Sequence, residues 1–257
     1  MGYSSSLTDK EWEIIESLLP KKKRTKPPTW SKREILDGVL YQLKNGCNWC
    51  DLPCIFTPIF NCVLALQTVA RRRNNQEHPR CSTWASAPTG KKKAKWTTLI
   101  IIDSQAVKNT CNASVKSKGF CFYKSTNGIK RHLAVDTLGF PFFVHCTKAS
   151  VSDDQGLIEM LSDNIDYFKS KPVNIPKITI LLHNGYHPEK LEEELKKVYP
   201  QIMTKVRFKL SPKPSKLQKE KEGKTGFIPV KARWVIERTN SWMERCKSLV
   251  KNNDANS

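Results

Sequence analysis

The chain has 257 residues, 39% of them hydrophobic and 26% charged, which excludes a disordered polymer and suffices for one catalytic-size domain plus a small helical module. Its 44 Lys and Arg against 24 Asp and Glu give a formal charge of +20 and a pI of about 9.6. That surplus points to a polyanion, because phosphate contacts release counterions whatever the base sequence. A basic solvated surface, or a ribosome- or RNA-associated protein, is the alternative. No run of about 18 apolar residues is present and residues 1–18 lack a signal-type apolar stretch, so a cytoplasmic chain is expected.

Leu7-Thr8-Asp9-Lys10-Glu11-Trp12 reads as a helix start, capped by Thr8 or Asp9, with Trp12, Ile15, Leu18 and Leu19 at helical spacing. Pro20 and the basic run 21–26 close it. Ser31 caps a second helix striped by Ile35, Leu36, Val39, Leu40 and Leu43 and stopped by Gly46. Two short helices joined by a basic loop fit a helix-turn-helix-like DNA-binding module. Residues 59–90 show neither helical nor strand periodicity, and 91–95 is a basic linker. Residues 97–102 form a β-branched strand that ends at Asp103. A hairpin follows around Thr137-Leu138-Gly139, then a helix over 153–161, a strand over 178–182 and a charged helix over 188–198. Residues 202–210 read as a strand, and 230–250 as one late helix. The order fits a mixed sheet flanked by helices.

Nine cysteines, an odd and irregularly spaced set, do not form a disulfide framework. Cys47-x-x-Cys50 lacks a matching second pair, so reduced thiols are expected rather than structural zinc.

Phosphoryl transfer by two divalent metals needs carboxylates that converge from separate elements. Asp103 after a strand and Glu237 inside the late helix are candidates. Taken singly, each is more often a turn residue or a solvated ion-pair partner. Their surroundings carry more. Ile101-Ile102-Asp103-Ser104-Gln105-Ala106-Val107-Lys108 resembles the first-aspartate motif of bacterial insertion-sequence transposases of the acidic-triad (DDE) class. Lys130-Arg131-His132-Leu133-Ala134-Val135-Asp136-Thr137-Leu138-Gly139 and Ala149-Ser150-Val151-Ser152-Asp153 resemble the next blocks, and Arg233-Trp234-Val235-Ile236-Glu237-Arg238-Thr239 resembles the glutamate motif. Leu7 to Trp12 and Gly46-Cys47-Asn48-Trp49-Cys50-Asp51-Leu52-Pro53 resemble the family's small helical domain.

The resemblance implies a ribonuclease-H-like fold and an enzyme that cuts and rejoins the ends of its own element with magnesium. It implies double-stranded DNA with terminal inverted repeats as partner, a homodimer on that DNA, and a nucleoid-associated location. Asp103, His183 and Glu237 are then the catalytic positions, with Asp103 and Glu237 as metal ligands. Lys21, Lys22, Lys23, Arg24, Lys130, Arg131, Arg233, Arg238, Arg245 and Lys247 are the expected phosphate contacts. The domains are expected at 1–58 (helical), 59–95 (disordered or frameshifted linker), 96–251 (catalytic) and 252–257 (tail).

Two departures point to a degenerate copy. The family's second aspartate opens a motif of aspartate, any residue, glycine, tyrosine, whereas this chain has His183-Asn184-Gly185-Tyr186. Neutral imidazole lacks the charge and the hard oxygens that Mg²⁺ prefers. Relatives also carry an aromatic-rich helix of the type STVYWHYKQW near residue 60. One permissible set of codons for residues 60–70 spells that string when read one base later. A frame shifted from about Ile59 and restored near Lys91 is therefore expected, and with it poor packing over 59–90.

Overall fold

The computed structural model describes residues 3–19, 29–75, 96–111, 113–114, 117–211 and 233–252. The expectations for the basic run 21–26, for 76–95, for the loop 212–226 and for the tail after 252 lie outside these residues. The chain divides into two compact units, Met1–Glu77 with Glu244–Val250, and His78–Met243 with Lys251–Ser257.

The first unit is helical. Helices α1 (Asp9–Leu18) and α2 (Lys32–Asn45) both open with a capping box, Thr8 with Glu11 and Ser31 with Glu34, which satisfies amides that the first turn leaves unbonded. Gly46 ends α2 at φ +67, a left-handed backbone that glycine adopts without strain. Arg33 ties the helices together, bonding Asp9 Oδ1 at 2.7 Å and the Leu7 carbonyl at 2.6 Å, while the Leu7 amide donates to Asp37 Oδ1 at 2.8 Å. Tyr3, Tyr41 and Phe56 pack ring on ring. The short helix Lys247–Val250 belongs to this unit, where the Ser248 hydroxyl donates to the Gln42 carbonyl at 2.9 Å.

A third helix, α3 (Ile59–Asn75), corrects the expectation that this segment has no regular structure. Cys62 is fully buried, its Sγ 3.7 Å from the Ile35 carbonyl and close to Gly38. Ile59, Cys62 and Val63 do recur at helical spacing; Phe60, Leu64 and Leu66 mask that pattern, because they are apolar and exposed.

The second unit is built on a mixed sheet of strands β1 (Leu99–Asn109), β2 (Phe120–Cys121), β3 (Thr126–Val135), β4 (Pro141–Lys148), β5 (Ile178–Leu182), β6 (Val206–Leu210) and β7 (Lys251–Asn252). The long strands run β4-β3-β1-β5-β6, the first three antiparallel and the last three parallel, a ribonuclease-H-like order; β2 pairs β3 and β7 pairs β1. One face of the sheet carries the larger core, in which Ile100, Ile102, Ile180 and Leu182 meet α4 (Asp153–Asp163), α5 (Ile165–Ser170) and α6 (Pro188–Val198) through Leu157, Leu161, Phe168, Leu191 and Leu195. Helix α4 comes so close that a Cβ on Gly156 would fall 2.0 Å from His132 Nε2. The other face carries Ile101, Leu133 and Val135 under Val235 and Ile236 of α8 (Arg233–Glu244), with Leu181 packed against them.

Three boundaries differ from expectation. β1 continues to Asn109, so Asp103 lies within the strand rather than at its end. Residues 202–210 split into helix α7 (Ile202–Lys205) and β6. The late helix stops at Glu244, ahead of the separate turn Lys247–Val250.

Candidate active site

Asp103 sits where β1 outruns its parallel neighbour. β1 pairs β5 through Leu99↔Thr179, Ile100↔Ile180 and Ile101↔Leu181, and β5 ends at Leu182. Continued two residues further, this register sets His183 beside Asp103. Side chains alternate across a strand, so both extend the row of Ile101 and Leu181 on the face beneath α8. Asp103, Leu181, His183, Ser211, Arg233 and Ile236 line one small depression there.

Helix α8 is fixed by the hairpin between β3 and β4. Asp136 Oδ1 accepts the amides of Leu138 and Phe140, and Gly139 turns the chain at φ +88. The Gly139 carbonyl accepts from Thr239 Oγ1, and the Leu138 carbonyl from Arg238 Nη2, both at 2.6 Å. A side chain at 139 would collide with Arg238 and Thr239, each 2.9 Å from its Cβ. The Asp136-to-Gly139 motif thus sets the position of the helix that carries Glu237.

The charged groups around the depression are already engaged, while the Ser211 hydroxyl in its lining is buried without a hydrogen bond. Asn240, absent from the sequence reading although it stands one turn beyond Glu237, donates to Asp103 Oδ2 at 3.1 Å. Glu237 Oε1 pairs with Arg233 Nε at 3.2 Å. His183 Nδ1 accepts the Gly185 amide at 3.1 Å, which leaves the proton of a neutral ring on Nε2. Burial pushes the Asp103 carboxyl above the usual carboxylate range, against the pull of Lys124, Arg233 and His183. Lys124 reaches the strand itself, its Nζ 3.0 Å from the Ser104 carbonyl.

Two of the expected phosphate contacts are turned inward. Lys130 and Arg131 are buried on β3; Lys130 Nζ pairs with Asp153 Oδ1 at 2.8 Å and bonds the Val151 carbonyl, and Arg131 Nη2 bonds Gln105 Oε1. Burial works against the Asp153 carboxylate, yet the hydrogen bond and charge of Lys130 hold its pKa below the ordinary value. These motif residues brace the sheet behind Asp103, because charge buried between strands must be paired. Arg238 lies between the rings of Trp234 and Trp242, 4.5 and 4.7 Å from their centroids. Arg245 and Lys247 are exposed in the first unit, and Lys21, Lys22, Lys23 and Arg24 lie outside the described residues.

The structure brings Asp103 and His183 together in this depression, whereas Glu237 is not among its lining residues and pairs with Arg233. Among the described residues no group of three or more His, Cys, Asp or Glu side chains is placed to hold a metal ion. The donors at hand do not fit the magnesium site that the resemblance implies. Among the described residues, too, the cysteines are free and no helix is long and apolar enough to cross a membrane.

Comparison with curated proteins gave no match. A family model described as "Putative transposase of IS4/5 family (DUF4096)" matches residues 7–74, and one described as "Transposase DDE domain" matches residues 97–252. The second match spans more than half of the chain, over the sheet and α8 that carry Asp103 and Glu237, and the chain belongs to the DDE transposases of insertion sequences.

Proposed function

We propose that this protein is an insertion-sequence transposase that docks on duplex DNA, at the inverted repeats of its own element, and has lost magnesium-dependent strand cleavage. Family membership makes DNA the substrate class and leaves the unrelated RNA-binding alternative without support. The observation that carries the loss is His183, which takes the register position beside Asp103 where the family's motif has a carboxylate. Exchanging that carboxylate for neutral imidazole removes a unit of negative charge from a face that must attract two dications. With its Nδ1 engaged by Gly185, the neutral ring offers an N–H rather than a lone pair at Nε2. The remaining residues would still orient a strand: Asn240 and Lys124 hold Asp103 and its backbone in place, and Arg233 holds Glu237. The shifted frame over 59–90 belongs to the same history of decay. Its support is the exposure of Phe60, Leu64 and Leu66; against it stand the burial of Cys62 in α3 and a family match that runs through this segment to residue 74.

The test is calorimetric titration of Mn²⁺ and Mg²⁺ into the full chain and into His183→Asp, with a strand-cleavage assay on a duplex bearing the element ends. We expect no resolvable metal binding by the unaltered chain and binding by His183→Asp. Cleavage should return only when residues 59–90 are also restored to the other frame, since positioning errors of about 1 Å alone lower rates about 10²-fold. Robust Mg²⁺-dependent cleavage by the unaltered chain would reinstate a working transposase.

A further inference from the structure

Past β2 the chain makes a tight 3-10 turn, Phe122–Lys124, that holds two aromatic rings out in water: Phe122 is 82% exposed and Tyr123 fully so. Apolar rings left free would fold back onto the sheet, but this turn is held from both sides. β2 is clipped to β3 by Phe120↔Asn127 and Cys121↔Thr126. Ser125 takes a left-handed backbone, φ 43, with its amide on the Phe122 carbonyl, and Thr126 Oγ1 donates to the Lys124 carbonyl at 2.8 Å. The Phe120 ring braces Phe122 edge to face at 5.1 Å. The foot of the turn is Lys124, whose ammonium bonds the carbonyl of Ser104, the residue after Asp103. The turn that exposes Phe122 and Tyr123 is thereby tied, through Lys124, to the residue that follows Asp103.

We propose that Phe122 and Tyr123 form a stacking platform for unpaired DNA bases next to the cleavage position. This rests on Asp103 marking that position. Cations favour this occupant over a protein surface: the exposed Lys118 and the turn's own Lys124 lie within five residues of the rings along the chain, which carries +20. Every base has a π-face, so such a platform takes unpaired nucleotides of any sequence while the lysines hold the backbone.

The experiment measures binding of the full chain, without metal, to a fluorescein-labelled blunt duplex and to the same duplex with a short thymine overhang. It is repeated with Phe122→Ala/Tyr123→Ala and with the aromatic swap Phe122→Tyr/Tyr123→Phe. We expect the overhang to tighten binding about tenfold. The alanine pair should erase that gain and leave blunt-duplex affinity unchanged, and the swap should keep it. Equal affinity for the two DNAs, or an alanine pair that retains the gain, would overturn the platform and leave duplex docking standing. Equal weakening on both DNAs would also overturn it, since the rings would then support duplex contacts. So would self-association that the alanine pair abolishes, which would assign the rings to a second copy. Absence of binding to either DNA would remove the docking reading as well.

Discussion

Strand β1 and helix α3 are both rich in apolar residues, and they sort them differently. In β1, Ile100 and Ile102 enter the larger core while Ile101 enters the smaller one beneath α8, and each of the three is almost completely buried. In α3, Cys62 is buried, yet Phe60 is 73% exposed and Leu64 and Leu66 also face water. A two-faced central strand tolerates no misplaced side chain, because a slip of one residue exchanges its faces. A helix satisfies its backbone hydrogen bonds internally, so an exposed apolar side chain breaks none of them. In α3 the inner side is narrow, Cys62 against α2, and the apolar residues beside it are left in water.

The largest effect expected from this contrast lies where packing is tightest. Gly156→Ala would set a Cβ 2.0 Å from His132 Nε2, between a helix and a strand that have no room to part. Overpacking of this kind should lower stability by about 3 kcal/mol, read from urea unfolding of the full chain. A loss below about 0.5 kcal/mol, the level of surface substitutions, would show that α4 and β3 do not pack as described.

Next comes an acid-sensitive group in the same place. His132 is buried with its Nε2 3.1 Å from Thr147 Oγ1, and burial pushes its imidazole pKa down from 6.5 to about 4. The unfolded chain therefore takes up a proton that the folded chain refuses. Stability from this group is complete above pH 6.5 and declines as pH falls toward 4, by about 3 kcal/mol in all. His132→Gln should flatten that slope even where it lowers stability. An unchanged slope would place the acid sensitivity elsewhere.

Much of the second unit was legible in the sequence because its rules are local. Residues 178–182 and 188–198 appear as read, since a β-branched run and a Pro-initiated amphipathic helix each carry their own signature. Thr8, Ser31 and Gly46 announced the ends of α1 and α2 in the same way. Less was legible where tertiary partners decide. Asp103 looked like the end of a strand because apolar residues stop there, but pairing with β3 carries β1 on to Asn109. Lys130 and Arg131 looked like phosphate contacts, because nothing local reveals that Asp153 and Gln105 wait inside for them. Asn240 was missed for a similar reason: it shares a helix face with Glu237, but its partner is 137 residues away. α3 went unread because exposed apolar residues hid its period.

The smallest effect expected is the one that tests α3 most directly. Phe60→Lys and Leu66→Lys place charge where the ring and methyl groups already meet water. Lysine is as good a helix former as leucine and better than phenylalanine, so the backbone loses nothing. Exposed positions that make no special contact change stability by about 0.5 kcal/mol at most. Each variant, and the two combined, should therefore unfold in urea within that margin of the parent, and the combination should be more soluble because it removes exposed apolar surface. At the buried position of the same helix the outcome should differ. Cys62→Leu must fit its extra bulk against Gly38, where a single added Cβ would already come within 3.1 Å of the sulfur. It should cost about 1–3 kcal/mol. If Phe60→Lys instead cost as much as Cys62→Leu, the outer face of α3 would be a packed surface chosen for its partner, and the segment would no longer bear the mark of a displaced frame.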